Sequence, residues 1–390
     1  MHRGLIYMIP FIDLAAQQKR ILPQIEKRMG AVLAHGKYIM GPEVRELEEA
    51  LAEFSGVRHA ITCSSGTDAL LMALMACGVG PGHAVFTSPF TFIATAEVIA
   101  LLGATPVFVD IDRRTFNIDP DRLALAIKAV KTMNAEIYPL PKVNGPLEPK
   151  AIIGVDLFGL PADYERINAI AEKEGLKVIE DAAQSFGASM NGKKVGKLAP
   201  VAATSFFPAK PLGCYGDGGA VLTDDDELSM CMNSIRLHGK GTAKYDNIRI
   251  GINGRLDTLQ AAILLEKLAI FPDEIESRNL AATQYSKRLP DVVTVPFVPT
   301  GYTSVWAQYS IVHDERETIQ QQLKEHGIPT AVYYPKPLHQ QSAFAYLQYK
   351  DGDFPISEET SRKIFSLPMH PYLALENIDR IADIIRNTAN

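Results

Sequence analysis

The chain reads as an α/β protein: a large three-layer α/β/α domain on a mainly parallel sheet, followed by a smaller C-terminal α+β domain. Three observations predict this. Short branched apolar runs alternate with amphipathic stretches as far as about Leu265, as strands do when crossover helices join them. The run Leu176–Glu180 carries no alternation and so reads as a strand buried on both faces. Beyond a long helical stretch, an alternating run and one helix announce a different, smaller unit.

In chain order, Val44, Leu47, Leu51 and Phe54 fall at helical spacing between Pro42 and Gly56, which predicts a helix over Glu43–Phe54. Ala60–Cys63 reads as a strand, Ser64-Ser65-Gly66-Thr67 as a turn, and Asp68–Cys77 as an apolar helix. Val107–Val109 and Ile152–Val155 are further strands, and Asp163–Lys173 is a helix. A helix from Leu256 to about Ala269 joins the domains, drawn here as residues 9–265 and 266–390. In the second, Trp306–Val312 alternates as a strand, and Arg316–His326 forms a helix ended by Gly327-Ile328-Pro329.

The whole chain bounds its class. Its 390 residues are 47% hydrophobic and 22% charged, with a net charge of −6, which suits a globular enzyme and argues against a nucleic-acid partner. No stretch approaches the ~20 apolar residues of a spanning helix. Cys63, Cys77, Cys214 and Cys231, like the nine histidines, lack metal-ligand spacing, so no metal is expected and the cysteines read as reduced thiols of a cytoplasmic protein.

Chemistry concentrates in two segments. Lys210 closes Thr204-Ser205-Phe206-Phe207-Pro208-Ala209-Lys210, about thirty residues after Val178-Ile179-Glu180-Asp181-Ala182-Ala183-Gln184-Ser185. A lysine amine forms a Schiff base with the aldehyde of pyridoxal phosphate, and a carboxylate at the end of a parallel strand keeps the ring nitrogen protonated. The turn Ser64–Thr67 opens a helix whose free amides suit a phosphate, with the Ser205 hydroxyl as a further donor. Taken singly, Asp181 reads sooner as a helix cap or turn residue, and the turn sooner as punctuation than as an anion site.

The chain resembles the DegT/DnrJ/EryC1/StrS sugar aminotransferases of the aspartate aminotransferase-like fold. The matching stretches include Phe11-Ile12-Asp13-Leu14, Gly41-Pro42-Glu43-Val44, Ser65-Gly66-Thr67-Asp68-Ala69-Leu70, Pro89-Phe90-Thr91-Phe92-Ile93-Ala94-Thr95, Gly216-Asp217-Gly218-Gly219-Ala220 and Asn253-Gly254-Arg255-Leu256-Asp257. The resemblance implies Lys210 as Schiff-base lysine and Asp181 as partner of the ring nitrogen. Gln184 would face the ring oxygen, Phe92 would stack on the ring, and Gly66, Thr67 and Ser205 would hold the phosphate. Asn253 would join them from a second subunit, making a homodimer with shared sites, and Arg255 would meet an anionic substrate group. L-glutamate as donor, pyridoxamine phosphate as intermediate and a nucleotide-linked keto-sugar as acceptor follow from the same resemblance.

The nearest branch aminates C3 of UDP-2-acetamido-2-deoxy-3-oxo-D-glucuronate on the route to O-antigen, a bacterial surface polysaccharide. Lys210-Pro211-Leu212-Gly213-Cys214-Tyr215 and Ser366-Leu367-Pro368-Met369-His370-Pro371 carry that likeness. Tyr333-Tyr334 stands where that branch is expected to have a histidine–tyrosine pair, leaving Tyr334 as the retained substrate contact and Tyr333 as the altered one. The alternatives are a C4 aminotransferase acting on a 4-keto-6-deoxy sugar and a non-catalytic, cofactor-holding regulator. A dehydratase of this fold would carry histidine in place of Lys210. The family-like start at Met8-Ile9-Pro10-Phe11 makes Met1 to Tyr7 an upstream extension or a misplaced start. Pro139, Pro141, Pro146 and Pro149 mark an insertion over about 131–150, expected as a surface loop excursion.

Overall fold

The computed structural model describes residues 9–243 and 245–389, and the choice between Met1 and Met8 lies outside them. Seven strands form the main sheet: β1 (His59–Cys63), β2 (His83–Thr87), β3 (Thr105–Phe108), β4 (Glu148–Val155), β5 (Lys177–Asp181), β6 (Val201–Ser205) and β7 (Gly219–Thr223). Their order is β1-β7-β6-β5-β4-β2-β3. Only β7 runs antiparallel to both of its neighbours, while β6, β5, β4, β2 and β3 pair in parallel. This is the mainly parallel three-layer sheet that the alternating pattern predicts.

Side chains of successive strand residues leave opposite faces of the sheet. Ile152 and Val178 therefore pack on the helices Pro120–Thr132 and Tyr164–Glu174, whereas Ile153 and Ile179 pack on Gly66–Ala76, Ala94–Leu101 and Asp226–Ile235. With both faces covered, the strands need no polar alternation, which is why Leu176–Glu180 reads as one continuous apolar run. At the β7 end, Val44, Leu47 and Leu51 of Pro42–Ser55 pack with Leu264, Leu265 and Leu268 of the long helix.

That long helix runs Thr258–Arg288 over 31 residues, well past the expected stop near Ala269, and contains Pro272. A proline removes one helical hydrogen bond. Here packing on both sides outweighs that loss: Phe271 is buried in the first core, and Ala281, Ala282 and Tyr285 lie in the C-terminal one. Residue 265 therefore lies inside a continuous helix. In the C-terminal core, β8 (Tyr309–Val312) pairs with β9 (Ile364–Leu367), and the helices Arg316–Glu325 and Leu375–Ala389 cover them. The strand expected from Trp306 begins only at Tyr309, because Trp306 takes a left-handed backbone (φ 51°). Its indole instead donates to Asn279 Oδ1 at 2.8 Å.

The proline-rich segment is anchored rather than loose, and it is shorter than the expected 131–150, since the helix before it reaches Thr132 and β4 begins at Glu148. Ile137, Leu140 and Leu147 pack on the sheet core. The buried Tyr138 hydroxyl accepts the Asp110 amide at 2.8 Å, and the Lys142 amide donates to the Leu347 carbonyl at 2.9 Å. The Asp110 carboxylate in turn accepts the Ile356 and Ser357 amides at 3.0 and 2.9 Å, at the start of the helix Pro355–Lys363. Among the described residues, no helix is long and apolar enough to cross a membrane, and no three His, Cys, Asp or Glu side chains gather as a metal site.

Candidate active site

The carboxyl ends of the parallel strands converge on one edge of the sheet, where this architecture places ligands. Asp181 ends β5, in register with Val155 of β4 and Ala203 of β6. It is 5% exposed. Its Oδ2 accepts the Thr95 hydroxyl at 2.8 Å and its Oδ1 the Ala183 amide at 3.3 Å. Burial raises its pKa, while those two donors and the charge of Lys210 pull it back. Lys210 sits in a tight turn, its amide on the Phe207 carbonyl at 2.9 Å. Burial lowers the pKa of its amine, and Asp181 opposes that shift. The two groups thus sense one another's charge across the ligand edge of the sheet.

The anion cradle lies across this edge. Ser65 caps Gly66–Ala76, its hydroxyl accepting the Asp68 amide at 3.0 Å. The amides of Gly66 and Thr67 have no acceptor among the described residues, as expected of a helix's first turn. Gly66 is pressed against Ser205: a Cβ there would stand 2.6 Å from Ser205 Cβ. At Gly219 an added Cβ would meet the Ser65 carbonyl oxygen at 2.4 Å. Glycine is required at both positions by close approach, and the result is a narrow rim of free amides and one hydroxyl.

Aromatic residues flank the pocket. Phe92 is 55% exposed and lies 6.5 Å from the Tyr334 ring, which meets Phe90 edge-on at 6.2 Å. Gln184 is held in place: its Oε1 accepts the Phe158 amide at 2.9 Å and its Nε2 donates to the Tyr334 hydroxyl at 3.4 Å. Burial pushes the Tyr334 phenol well above its ordinary value, so it stays protonated. Tyr333 turns toward Phe11, at 6.5 Å. Behind Gln184, the Ser185 hydroxyl donates to buried Asp156 at 2.7 Å, and burial pushes that carboxyl up to about 7.

Asn253 and Arg255 belong to a different feature. Asn253 is exposed and bridges to Leu237 at the base of a strip that folds back through a Lys240–Asn247 bridge. Arg255 has neither an ion pair nor a hydrogen bond among the described residues. Ile248 and Ile250 on the same strip are 57% and 85% exposed.

Pyridoxal phosphate fits this donor set. A doubly charged phosphate needs several donors, which the rim of Gly66, Thr67 and Ser205 would provide. The exposed Phe92 ring would take the face of the cofactor, Asp181 its ring nitrogen, and Lys210 its aldehyde. Sequence reasoning missed Thr91, Thr95, Phe158 and Asp156 as partners of these groups. Only the four-residue spacing of Thr91 and Thr95 could have signalled the first two.

Comparison with known proteins agrees. Residues 19–386 match the DegT/DnrJ/EryC1/StrS aminotransferase family. A Pseudomonas aeruginosa protein, UDP-2-acetamido-2-deoxy-3-oxo-D-glucuronate aminotransferase, is 50% identical over 97% of this chain and 100% of its own. A Geobacillus stearothermophilus protein described as a pleiotropic regulatory protein is 43% identical over 98% of this chain and 100% of its own. The crystal structure of a DegT/DnrJ/EryC1/StrS aminotransferase from Brucella abortus superposes with a TM-score of 0.93 at 53% identity, covering 97% of this chain and 99% of that one. With this fold, this pocket and these relatives, the chain belongs to the DegT/DnrJ/EryC1/StrS aminotransferase family.

Proposed function

We propose that the protein transfers an amino group from L-glutamate to C3 of UDP-2-acetamido-2-deoxy-3-oxo-D-glucuronate, for bacterial surface polysaccharide. The observation that carries this reading is buried Asp181 at the carboxyl end of β5, with the Lys210 amine near enough for the two charges to act on one another. The 50% identical relative named for that sugar supports the substrate. The intact Lys210, Asp181 and anion rim weigh against a non-catalytic regulator, whereas C4 amination would use the same cofactor residues and is disfavoured only by the 50% identical relative named for a 3-oxo sugar.

When bound, pyridoxal phosphate supplies an electron sink for the donor's α carbon and a carrier for the amino group. The residues do the rest. The depressed pKa of Lys210 leaves its amine free to take a proton at Nζ and return it, as a general acid and base must. Asp181 would hold a proton at the ring nitrogen, and Gln184, fixed by its bonds to Phe158 and Tyr334, would face the ring oxygen. Phe92 and Tyr334 would flank the cofactor with apolar surface. Tyr334, and beside it Tyr333, meet the sugar.

We further infer a cytoplasmic homodimer in which Asn253 and Arg255 reach the partner's site. The exposure of Asn253, the unpaired guanidinium of half-buried Arg255 and the bare Ile248 and Ile250 support this. The division into large and small domains falls within the helix Thr258–Arg288.

The test follows the visible absorption of the holoenzyme before and after glutamate. The wild type is expected to convert its bound cofactor to the amino form and then to aminate the 3-keto sugar nucleotide. Lys210→Ala is expected to keep cofactor non-covalently and lose turnover by about a thousandfold or more. Near-normal transamination by Lys210→Ala refutes the assignment, and preference for a 4-keto acceptor refutes the substrate.

A further inference from the structure

Just before the helix Ala94–Leu101 and in its first turn, two threonine side chains are buried. Thr91 and Thr95 are 2% and 1% exposed, and the turn leading into the helix brings their hydroxyls together. Phe92, between them, points outward. Thr95 Oγ1 lies 2.8 Å from Asp181 Oδ2, and Thr91 Oγ1 lies 3.1 Å from Thr95 Oγ1. A hydroxyl has one proton to give, and an ionised carboxylate only accepts. Thr95 therefore donates to Asp181 and accepts from Thr91, so the chain of bonds runs one way, each bond polarising the next.

We propose that Thr91 and Thr95 are positioning residues that set the protonation of the cofactor ring by holding Asp181 ionised opposite the ring nitrogen. The proposal rests on the reading of Asp181 as partner of that nitrogen. Two donors reach its carboxylate, and the Thr95 bond, at 2.8 Å, is shorter than the Ala183 amide's 3.3 Å. Burial works against the ionised form, and only these donors and Lys210 resist it. The other titratable groups that face Asp181 are Asp156, Tyr164 and Tyr334. None of them brings a positive charge. Glu180, its neighbour in β5, turns away to the amides of Gly196 and Leu198. Without the Thr95 donor the carboxylate becomes more basic, and the proton it shares with the ring moves toward it. A neutral ring draws less charge from the nitrogen of Lys210, which then keeps its own proton to higher pH.

The experiment is a pH titration of the visible band of holoenzyme, with the dissociation constant of pyridoxal phosphate measured alongside. Thr95→Val keeps the side-chain outline and removes the donor. It is expected to raise the midpoint of the titration by about one pH unit and to weaken cofactor binding by about ten- to a hundredfold. Thr95→Ser restores the donor and is expected to return both to within about threefold of wild type. Thr91→Val shifts the midpoint in the same direction by less. If Thr95→Val does not fold, Thr95→Ala carries the same comparison. A wild-type midpoint in the variant without the hydroxyl, or a serine variant no better than it, overturns the proposal. Asp181→Asn separates the two levels. A shifted midpoint there, with none on removing the Thr95 hydroxyl, overturns the threonine chain alone. An unshifted midpoint in Asp181→Asn overturns the reading of Asp181 itself.

Discussion

Gly66→Ala isolates the anion rim. The new Cβ would stand 2.6 Å from Ser205 Cβ and 3.1 Å from Ser205 Cα and Oγ, whereas carbon atoms rest at about 3.5–4.0 Å. Ser205 Cβ is fixed to the end of β6 and cannot swing aside, so helix and strand must part by about 1 Å. Overpacking of this kind costs about 1–3 kcal/mol of stability. Its effect on binding is more specific. A phosphate oxygen that both the helix amides and the Ser205 hydroxyl would hold at about 2.9 Å could no longer reach both. Losing one hydrogen bond to a charged group costs about 1.5–3 kcal/mol, or roughly 10- to 150-fold in affinity. The assay titrates apoenzyme with pyridoxal phosphate and, separately, with pyridoxal, which has no phosphate. Gly66→Ala is expected to weaken the first by that factor and leave the second within about twofold. Equal losses for the two ligands, or none for either, would refute the placement of the phosphate at this rim.

Two further predictions come from other parts of the molecule. If Asn253 serves the partner's site, a co-refolded mixture of Lys210→Ala and Asn253→Ala chains regains about a quarter of wild-type turnover, because half the dimers are mixed and each has one intact site. Activity equal to the mean of the two parents would mean that sites are not shared. Asp156 is pushed up to about 7 from an ordinary value of 3.8. A carboxyl whose folded pKa is raised contributes stability that is full below about pH 4 and lost as pH climbs through 7. Asp156→Asn should therefore flatten part of the fall in melting temperature between those pH values, and an unchanged difference between pH 4 and pH 7 counts against the shift.

Much of the architecture is legible in the residues because burial on two faces leaves a plain mark. The run ending in Asp181, the helix between Pro42 and Gly56, and the turn at Gly66 all fall within two residues of where the pattern puts them. The sequence is less informative where tertiary packing overrides a local signal. The pattern ends the helix near Ala269, yet Phe271 and Tyr285 hold it on both sides of Pro272. Trp306 continues an alternating pattern, but its left-handed backbone delays the strand to Tyr309. Site residues that act through a neighbour leave almost no mark. Thr95 looks like any helix threonine until the fold brings Asp181, from a distant strand, to its hydroxyl.

The proline-rich segment changes what counts as a moving part. By chain position, residues 338–357 belong with the C-terminal core, yet Lys142 fastens Leu347 and Asp110 fastens Ile356 and Ser357 to the sheet. Tyr333 and Tyr334 hang just ahead of this riveted stretch. Mechanically they are a short strap pinned to the frame at its far end, not the tip of a swinging jaw. If the two tyrosines meet the sugar as proposed, substrate exchange depends on the give of that strap, and lengthening or stiffening it would tune turnover without changing Lys210 or Asp181.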